Sequence, residues 1–131
     1  MLRSRSILVL AASLTMAGMG SAALAGEPAY TSEVGYEQNA LGVSAMLNGQ
    51  YDRAITQMNQ EHGVAADDSA RLINLGLAYA KTGQRQQAIA ALQAAYRAPD
   101  GAILLSDGSE VSSRALAARL LNTMDSKFAA R

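Results

Sequence analysis

The 131-residue chain has no cysteine and no tryptophan, one phenylalanine, two prolines and one histidine. Without cysteine it can have no disulfide framework and no thiol redox chemistry, so a small fold has to rest on its apolar core. Half of the residues are hydrophobic, but alanine dominates and aromatics are few, so the core buries modest area per residue and moderate stability is expected. The single histidine, His62, has no second ligand-type residue at metal spacing and reads as a surface group beside Gly63. An excess of one charge is also lacking: 11 basic residues stand against 11 acidic ones. There is no basic stripe or aromatic platform, so nothing favours nucleic acid.

Reaction chemistry is equally scarce. Asp67 and Asp68 precede a helical pattern, where a carboxylate caps a helix. Asp100 and Asp107 flank a loop, but the ligand spacing of a calcium loop is missing. Ser106, Ser109, Ser112 and Ser113 have no base beside them and read as turn and capping residues. Gly101 and Gly108 form no phosphate cradle. No catalytic, cofactor-binding or metal residue is assigned, and a non-enzymatic protein without a cofactor is expected.

What is present begins with a leader. Residues 1–5 are basic, residues 7–19 are mostly apolar, and Ala23-Leu24-Ala25 supplies small residues at the positions a signal peptidase reads. The apolar stretch is too short and glycine-rich for a comfortable membrane span. Residues 1–25 are therefore expected to be a secretory signal cleaved after Ala25, with an uncleaved anchor as the alternative. The leader is similar to bacterial ones, which implies a periplasmic or secreted protein with no membrane insertion after cleavage. Removing 25 residues from 131 leaves 106, the size of one small domain, with nine basic against eleven acidic residues.

The rest of the chain is organised around residues 72–99. Leu72, Leu75, Gly76 and Tyr79 recur at the three-or-four step of one helix face, as do Ala88, Ile89, Leu92, Ala95 and Tyr96. Thr82-Gly83 turns the chain between them, and the small Gly76 and Ala88 sit where two antiparallel helices must approach closely. The same pattern occurs 34 residues earlier: Leu41-Gly42 aligns with Leu75-Gly76, Gly49-Gln50 with Gly83-Gln84, Ala54-Ile55 with Ala88-Ile89, and Met58 with Leu92. In these positions the chain resembles the tetratricopeptide repeat family, whose unit is a 34-residue helix-turn-helix. The resemblance covers about half the chain. It departs from the family pattern at Gln38, Ala45 and Glu61 of the first unit.

The expected fold is all-α. Residues 26–34 form a linker, residues 35–68 and 69–102 form two repeat units, and residues 103–131 form a connecting loop and a C-terminal capping helix. Helices are expected over residues 33–47, capped by Thr31 or Ser32 and stopped by Asn48-Gly49; from Asp52 towards Gly63; from a cap at Asp67 or Asp68 to Lys81; over residues 85–97; and over residues 110–128. The last has Val111, Leu116, Leu120, Leu121, Met124 and Phe128 as its apolar face. Ile103-Leu104-Leu105 reads as a short apolar patch packing over the open end of the fourth helix.

With no chemistry to assign, function falls to surface recognition. In the resembled family the first helix of each unit lines a concave groove. That resemblance implies groove positions Tyr36, Asn39, Val43, Met46 and Leu47, and Ala70, Ile73, Leu77, Ala80 and Lys81, with Asn74 placed to hydrogen-bond a peptide backbone. The partner-binding set is Asn39, Val43, Met46, Leu47, Ile73, Asn74, Leu77 and Lys81. With Lys81 as its only cation, this face disfavours a carboxylate clamp and fits an apolar or amphipathic segment of another envelope protein. The alternatives are internal packing against the N-terminal linker or neighbouring helices, and a structural protein that self-associates, as a homodimer, through the groove or the last helix.

Overall fold

A computed structural model describes residues 30–60 and 63–129, with the side chains of the last two of these left aside. The leader at 1–25, most of the linker, Glu61 and His62 lie outside the described residues, as does the Phe128 side chain. The elements run α1 (Val43–Leu47), α2 (Tyr51–Asn59), α3 (Ser69–Lys81), α4 (Arg85–Arg97), β1 (Ala102–Leu104), β2 (Glu110–Ser112) and α5 (Ser113–Ala129).

The centre is the antiparallel pair α3–α4. α3 starts at Asp68, whose carboxylate accepts from the Arg71 N–H at 2.9 Å, one of the two expected caps. Lys81 closes its last turn, where a cation suits the carbonyl end. Leu72, Ile73, Leu75, Leu77 and Ala78 of α3 are buried, as are Ala88, Ala91, Leu92 and Ala95 of α4. At Gly76 a Cβ would stand 2.6 Å from Leu92 Cγ and 3.4 Å from the Ala88 carbonyl oxygen, so only glycine lets the two helices meet this closely. α5 packs chiefly on α4, and buries Leu116, Ala117 and Leu120.

The 34-residue offset is kept by the backbone as well as the sequence. The Gln50 N–H bonds the Ala45 carbonyl at 2.8 Å, and the Gln84 N–H bonds the Tyr79 carbonyl at 2.8 Å. Gly49 and Gly83 both turn the chain through positive φ, at 70° and 76°. Ala54 and Ala88 are both fully buried.

The all-α expectation is overturned by a small antiparallel hairpin. β1 and β2 pair Ala102 with Ser112, Ile103 with Val111 and Leu104 with Glu110. Pro99 and Gly101 follow the end of α4. The apolar triplet behind them is too short for a helix but long enough for a ladder. Its turn is set by Asp107, whose carboxylate accepts from both the N–H and hydroxyl of Ser109, and by Gly108 at φ 84°. The residues expected to start the last helix at 110 are therefore strand, and α5 begins at Ser113. Ile103 and Leu104 are therefore strand and Leu105 a bridge residue, with Ile103 and Leu105 buried in the core.

A second correction concerns residues 33–47, where one long helix was expected. Only Val43–Leu47 is helical. Gly35, Asn39 and Gly42 all have positive φ, at 89°, 68° and 63°, which no α-helix contains. The turns between them are tied by Glu33. Its Oε1 accepts from the N–H groups of Leu41 at 3.2 Å and Val43 at 3.3 Å, and its Oε2 from that of Asn39 at 3.3 Å. A carboxylate gathering three backbone donors just before a helix satisfies groups that a longer helix would have satisfied internally. Nor does Thr31 or Ser32 cap a helix here: Thr31 bridges Leu105, and the Ser32 hydroxyl accepts from the Val34 N–H. α2 ends at Asn59, short of Gly63.

Candidate functional site

Among the described residues, a fully buried polar side chain stands at the middle of α3, Asn74. Its Oδ1 accepts from the Thr31 N–H at 3.0 Å, and its Nδ2 donates to the Leu41 carbonyl at 2.9 Å. One amide thus joins α3 to two segments 43 and 33 residues away in sequence. The Thr31 hydroxyl donates to the Ala70 carbonyl at 3.3 Å, one helical turn before Asn74. On its other side this N-terminal stretch pairs with the hairpin. The Ser32 N–H donates to the Leu104 carbonyl at 2.8 Å, and the Ser106 N–H donates to the Tyr30 carbonyl at 2.7 Å. These two bonds bracket Thr31 and Leu105, making them a non-hydrogen-bonded antiparallel pair. The Thr31 N–H therefore points away from the hairpin and towards Asn74. The result is a slot, walled by α3 and by residues 104–106 at the end of β1, filled by an extended peptide from the chain itself.

This placement sorts the sequence-derived partner-binding residues. Met46, Ile73, Asn74 and Leu77 are buried within the protein. Asn39 and Val43 are half-buried, the Asn39 N–H being held by Glu33. Leu47 and Lys81 are exposed, and Leu47 is 66% exposed. Of the other groove positions, Ala70 is buried, Tyr36 half-buried and Ala80 exposed. Aspartate at Leu77 would break the core, so it cannot test binding; Leu47 can.

Sequence reasoning read Asn74 as a residue able to hold a peptide backbone, and it holds that of Thr31. Thr31 lies in the N-terminal linker, so this is the internal packing that stands as an alternative to partner binding; what the sequence did not mark is the pairing on the linker's other side. Thr31 and Glu33 carried only helix-start signals, and nothing in their spacing marks a pairing 74 residues downstream with Leu105. The hairpin that supplies the second wall had a signal, Asp107-Gly108 between the apolar runs at 103–105 and Val111.

Two other polar clusters hold the frame of the slot. The Tyr36 hydroxyl donates to Asp68 Oδ2 at 3.0 Å, so the α3 cap also anchors the loop behind Thr31. Burial, and then the neighbouring Asp68 charge and hydrogen bond, push the Tyr36 phenol up to about 12. At the far end Asp100 Oδ1 accepts from the Ser112 and Ser113 hydroxyls and from the Arg114 N–H, capping α5 from outside the helix. These bonds, the Ser112 hydroxyl foremost, hold the Asp100 carboxyl below its ordinary value of 3.8. A depressed carboxyl stabilises the fold above its unfolded value and loses that contribution as pH falls through its folded value. Asp100→Ala is thus expected to melt below wild type at neutral pH, with the gap closing only as the solution is taken below 3.8. Thermal melts of both chains from neutral pH to strong acid check this; a gap that ignores pH would mean that the carboxylate charge is not what caps α5.

No group of three or more metal-ligating side chains converges among the described residues. No described helix is long and apolar enough to cross a membrane. An open depression beside Arg119, Asn122, Thr123, Ser126 and Lys127 is lined by α5 alone. No protein-family model, no curated protein and no solved structure matches the chain.

Proposed function

We infer that this is a non-enzymatic interaction module of the bacterial envelope that holds a segment of another protein on the outward part of its first-helix face. The observation that carries the reading is Leu47. It occupies a groove position of the resembled tetratricopeptide repeat family, lies at the end of α1, and leaves 66% of its surface in water. Covering a large aliphatic side chain exposed to this degree would supply a partner with about 2 kcal/mol before ordering costs. Val43 stands four residues earlier on the same helix and is half-buried, so it extends the apolar strip. Lys81, the residue 34 positions after Leu47, adds an exposed cation at the matching end of α3. The resemblance itself is supported by the matching turns after α1 and α3. The partner is an envelope protein, given the leader read at residues 1–25.

The test uses a photo-crosslinking amino acid at position 47, with position 86 as control because Gln86 is exposed on α4. In envelope fractions the first is expected to give one discrete adduct that Leu47→Asp in an untagged competitor fails to suppress, while wild-type competitor suppresses it. The second should give none. Equal labelling from both positions, or suppression by either competitor alike, would reject Leu47 as an anchor. Circular dichroism of Leu47→Asp is expected to match wild type, since the residue supports no core.

A further inference from the structure

The occupant of the Asn74 slot is held by three backbone hydrogen bonds. The bonds of Tyr30 and Ser32 to the hairpin and of the Thr31 N–H to Asn74 use no side chain of the occupant. The side chains add to them: the Thr31 hydroxyl bonds the Ala70 carbonyl, and Tyr30 packs against the core. The walls of the slot are made by later parts of the chain and are fixed by the α3–α4 pair and the β1–β2 ladder. No bond in the slot requires the strand and the walls to belong to the same molecule. Residues 30–32 of a second copy would form the same contacts, and two copies can do so reciprocally, which closes the assembly as a two-fold dimer.

We propose that residues 30–32 exchange between two copies of this chain, giving a strand-swapped dimer in which the Thr31 of each is held by the Asn74 of the other. The occupant is the chain's own sequence, because that sequence meets every donor and acceptor the slot offers. Thr31 is fully buried there, so an intruding peptide needs an extended residue of the same small size in that place. This proposal gives the expected self-association a specific geometry and does not rest on the Leu47 surface; either stands if the other fails.

Glu33 decides which arrangement prevails. It follows the strand at once, and its carboxylate chelates the N–H groups of Asn39, Leu41 and Val43. That latch holds the tether short, so the strand meets its own slot at an effective concentration in the millimolar range. The exchanged dimer therefore grows in as protein concentration rises towards that value. Loosening the latch lowers the effective concentration and favours exchange.

The absence of cysteine makes the test clean. Thr31 and Leu105 face each other in a non-hydrogen-bonded pair, where Cα atoms come within about 4.5 Å and a disulfide can close. One full-length chain carries Thr31→Cys and another Leu105→Cys. They are mixed at high concentration, equilibrated and oxidised, so that a 31–105 link can form only between copies. The expected result is heterodimer in excess over the random pairing of thiols, rising with concentration. Glu33→Ala in the first chain should raise its yield about tenfold, the effect of losing a hydrogen-bonded charge. Asn74→Ala in the second should suppress it. Random proportions of homodimer and heterodimer overturn the proposal. So does the lack of any interchain link while a Thr31→Cys, Leu105→Cys double variant closes fully within one chain. Should a cysteine variant lose its helical signal, sedimentation equilibrium of the wild-type chain decides: dimer emerging with concentration supports exchange, and a monomer up to the solubility limit overturns it.

Discussion

Gly76→Leu should melt more than about 10 °C below the wild-type chain. The Cβ alone would stand 2.6 Å from Leu92 Cγ and 2.7 Å from its Cδ2, closer than carbon atoms approach. Leu92 is buried, so the contact cannot be relieved by turning that side chain out into water without giving up core packing. Behind it, the Ala88 carbonyl oxygen at 3.4 Å belongs to the α4 backbone, so three further carbons on residue 76 force the helices apart. Overpacking of this kind costs about 1–3 kcal/mol, and a backbone displacement puts this case at the upper end. At roughly 4–8 °C per kcal/mol for a domain near 100 residues, the shift is large. Gly76→Ala separates the two opposing terms. Alanine recovers about 1 kcal/mol of helix propensity, yet still places a Cβ in the overlap, so a small net loss is expected. Gln86→Ala, on the exposed side of α4, should leave the melting temperature within a degree or two of wild type. Equal melting temperatures for Gly76→Leu and Gln86→Ala would show that the α3–α4 contact lies elsewhere.

The α3–α4 pair was readable because each of its signals is local. Gly76 and Ala88, the heptad-like apolar spacing, the Asp68 cap and the Thr82-Gly83 turn all act within a few residues of themselves. α4 runs over the same residues, 85–97, that its periodicity marks. The first helix was misread for an instructive reason. Leu41-Gly42 matches Leu75-Gly76 in sequence, and Gly42 does approach a neighbouring helix, with its Cβ position 3.1 Å from Ala54 Cβ. But Gly42 makes that approach in a left-handed conformation at the start of α1, whereas Gly76 makes it from within α3. The sequence keeps the close contact and loses the helix around it. Asn39, with positive φ, shows the same local permission for a turn, which alone does not outweigh a repeat offset.

The slot was half readable. A polar residue flanked by Ile73 and Leu75 on a core helix needs a partner, and the amide of Asn74 suits a backbone. Its occupant depends on a third element, the hairpin, which offers only three residues per strand. So short a ladder has almost no periodic signature, and the bridge from Thr31 to Leu105 has none. Long-range strand pairing is set by which edge remains open once the helices have packed, and that is a property of the assembled fold. At Ala70 and Asn74 the fold adopts the internal alternative: positions that face an open surface in an array of paired helices are covered here by Thr31 of the linker.

The second large effect is expected at Asn74. Asn74→Ala removes the acceptor for the Thr31 N–H and the donor to the Leu41 carbonyl, and both of those backbone groups stay buried among packed side chains. A buried polar group left unsatisfied costs about 1–3 kcal/mol, so two of them, with a cavity the size of the lost amide, put the loss near 3–5 kcal/mol. That is a large part of the 5–15 kcal/mol that holds a domain of this size together. The loss should also be uneven. The strand at Thr31 keeps its two ladder bonds to Leu104 and Ser106, whereas the loop at Leu41 loses its bond to α3, so hydrogen exchange should accelerate most over residues 30–43 and least within α4. Asn74→Asp sharpens the test. Its carboxyl can still accept from the Thr31 N–H, but faces the Leu41 carbonyl and can donate to it only while protonated. Burial and that carbonyl raise the carboxyl's folded pKa above its unfolded value near 4. A raised acid stabilises the fold below its unfolded pKa and loses that contribution as pH rises through the folded one. The Asn74→Asp chain is therefore expected to be closest to wild type in mild acid and to fall away towards neutral pH, while Asn74→Ala keeps a constant deficit. Denaturant titrations of the three chains between mild acid and neutral pH measure this directly. Parallel curves for the two variants would mean that Asn74 does not donate to Leu41, and would remove the central bond of the slot.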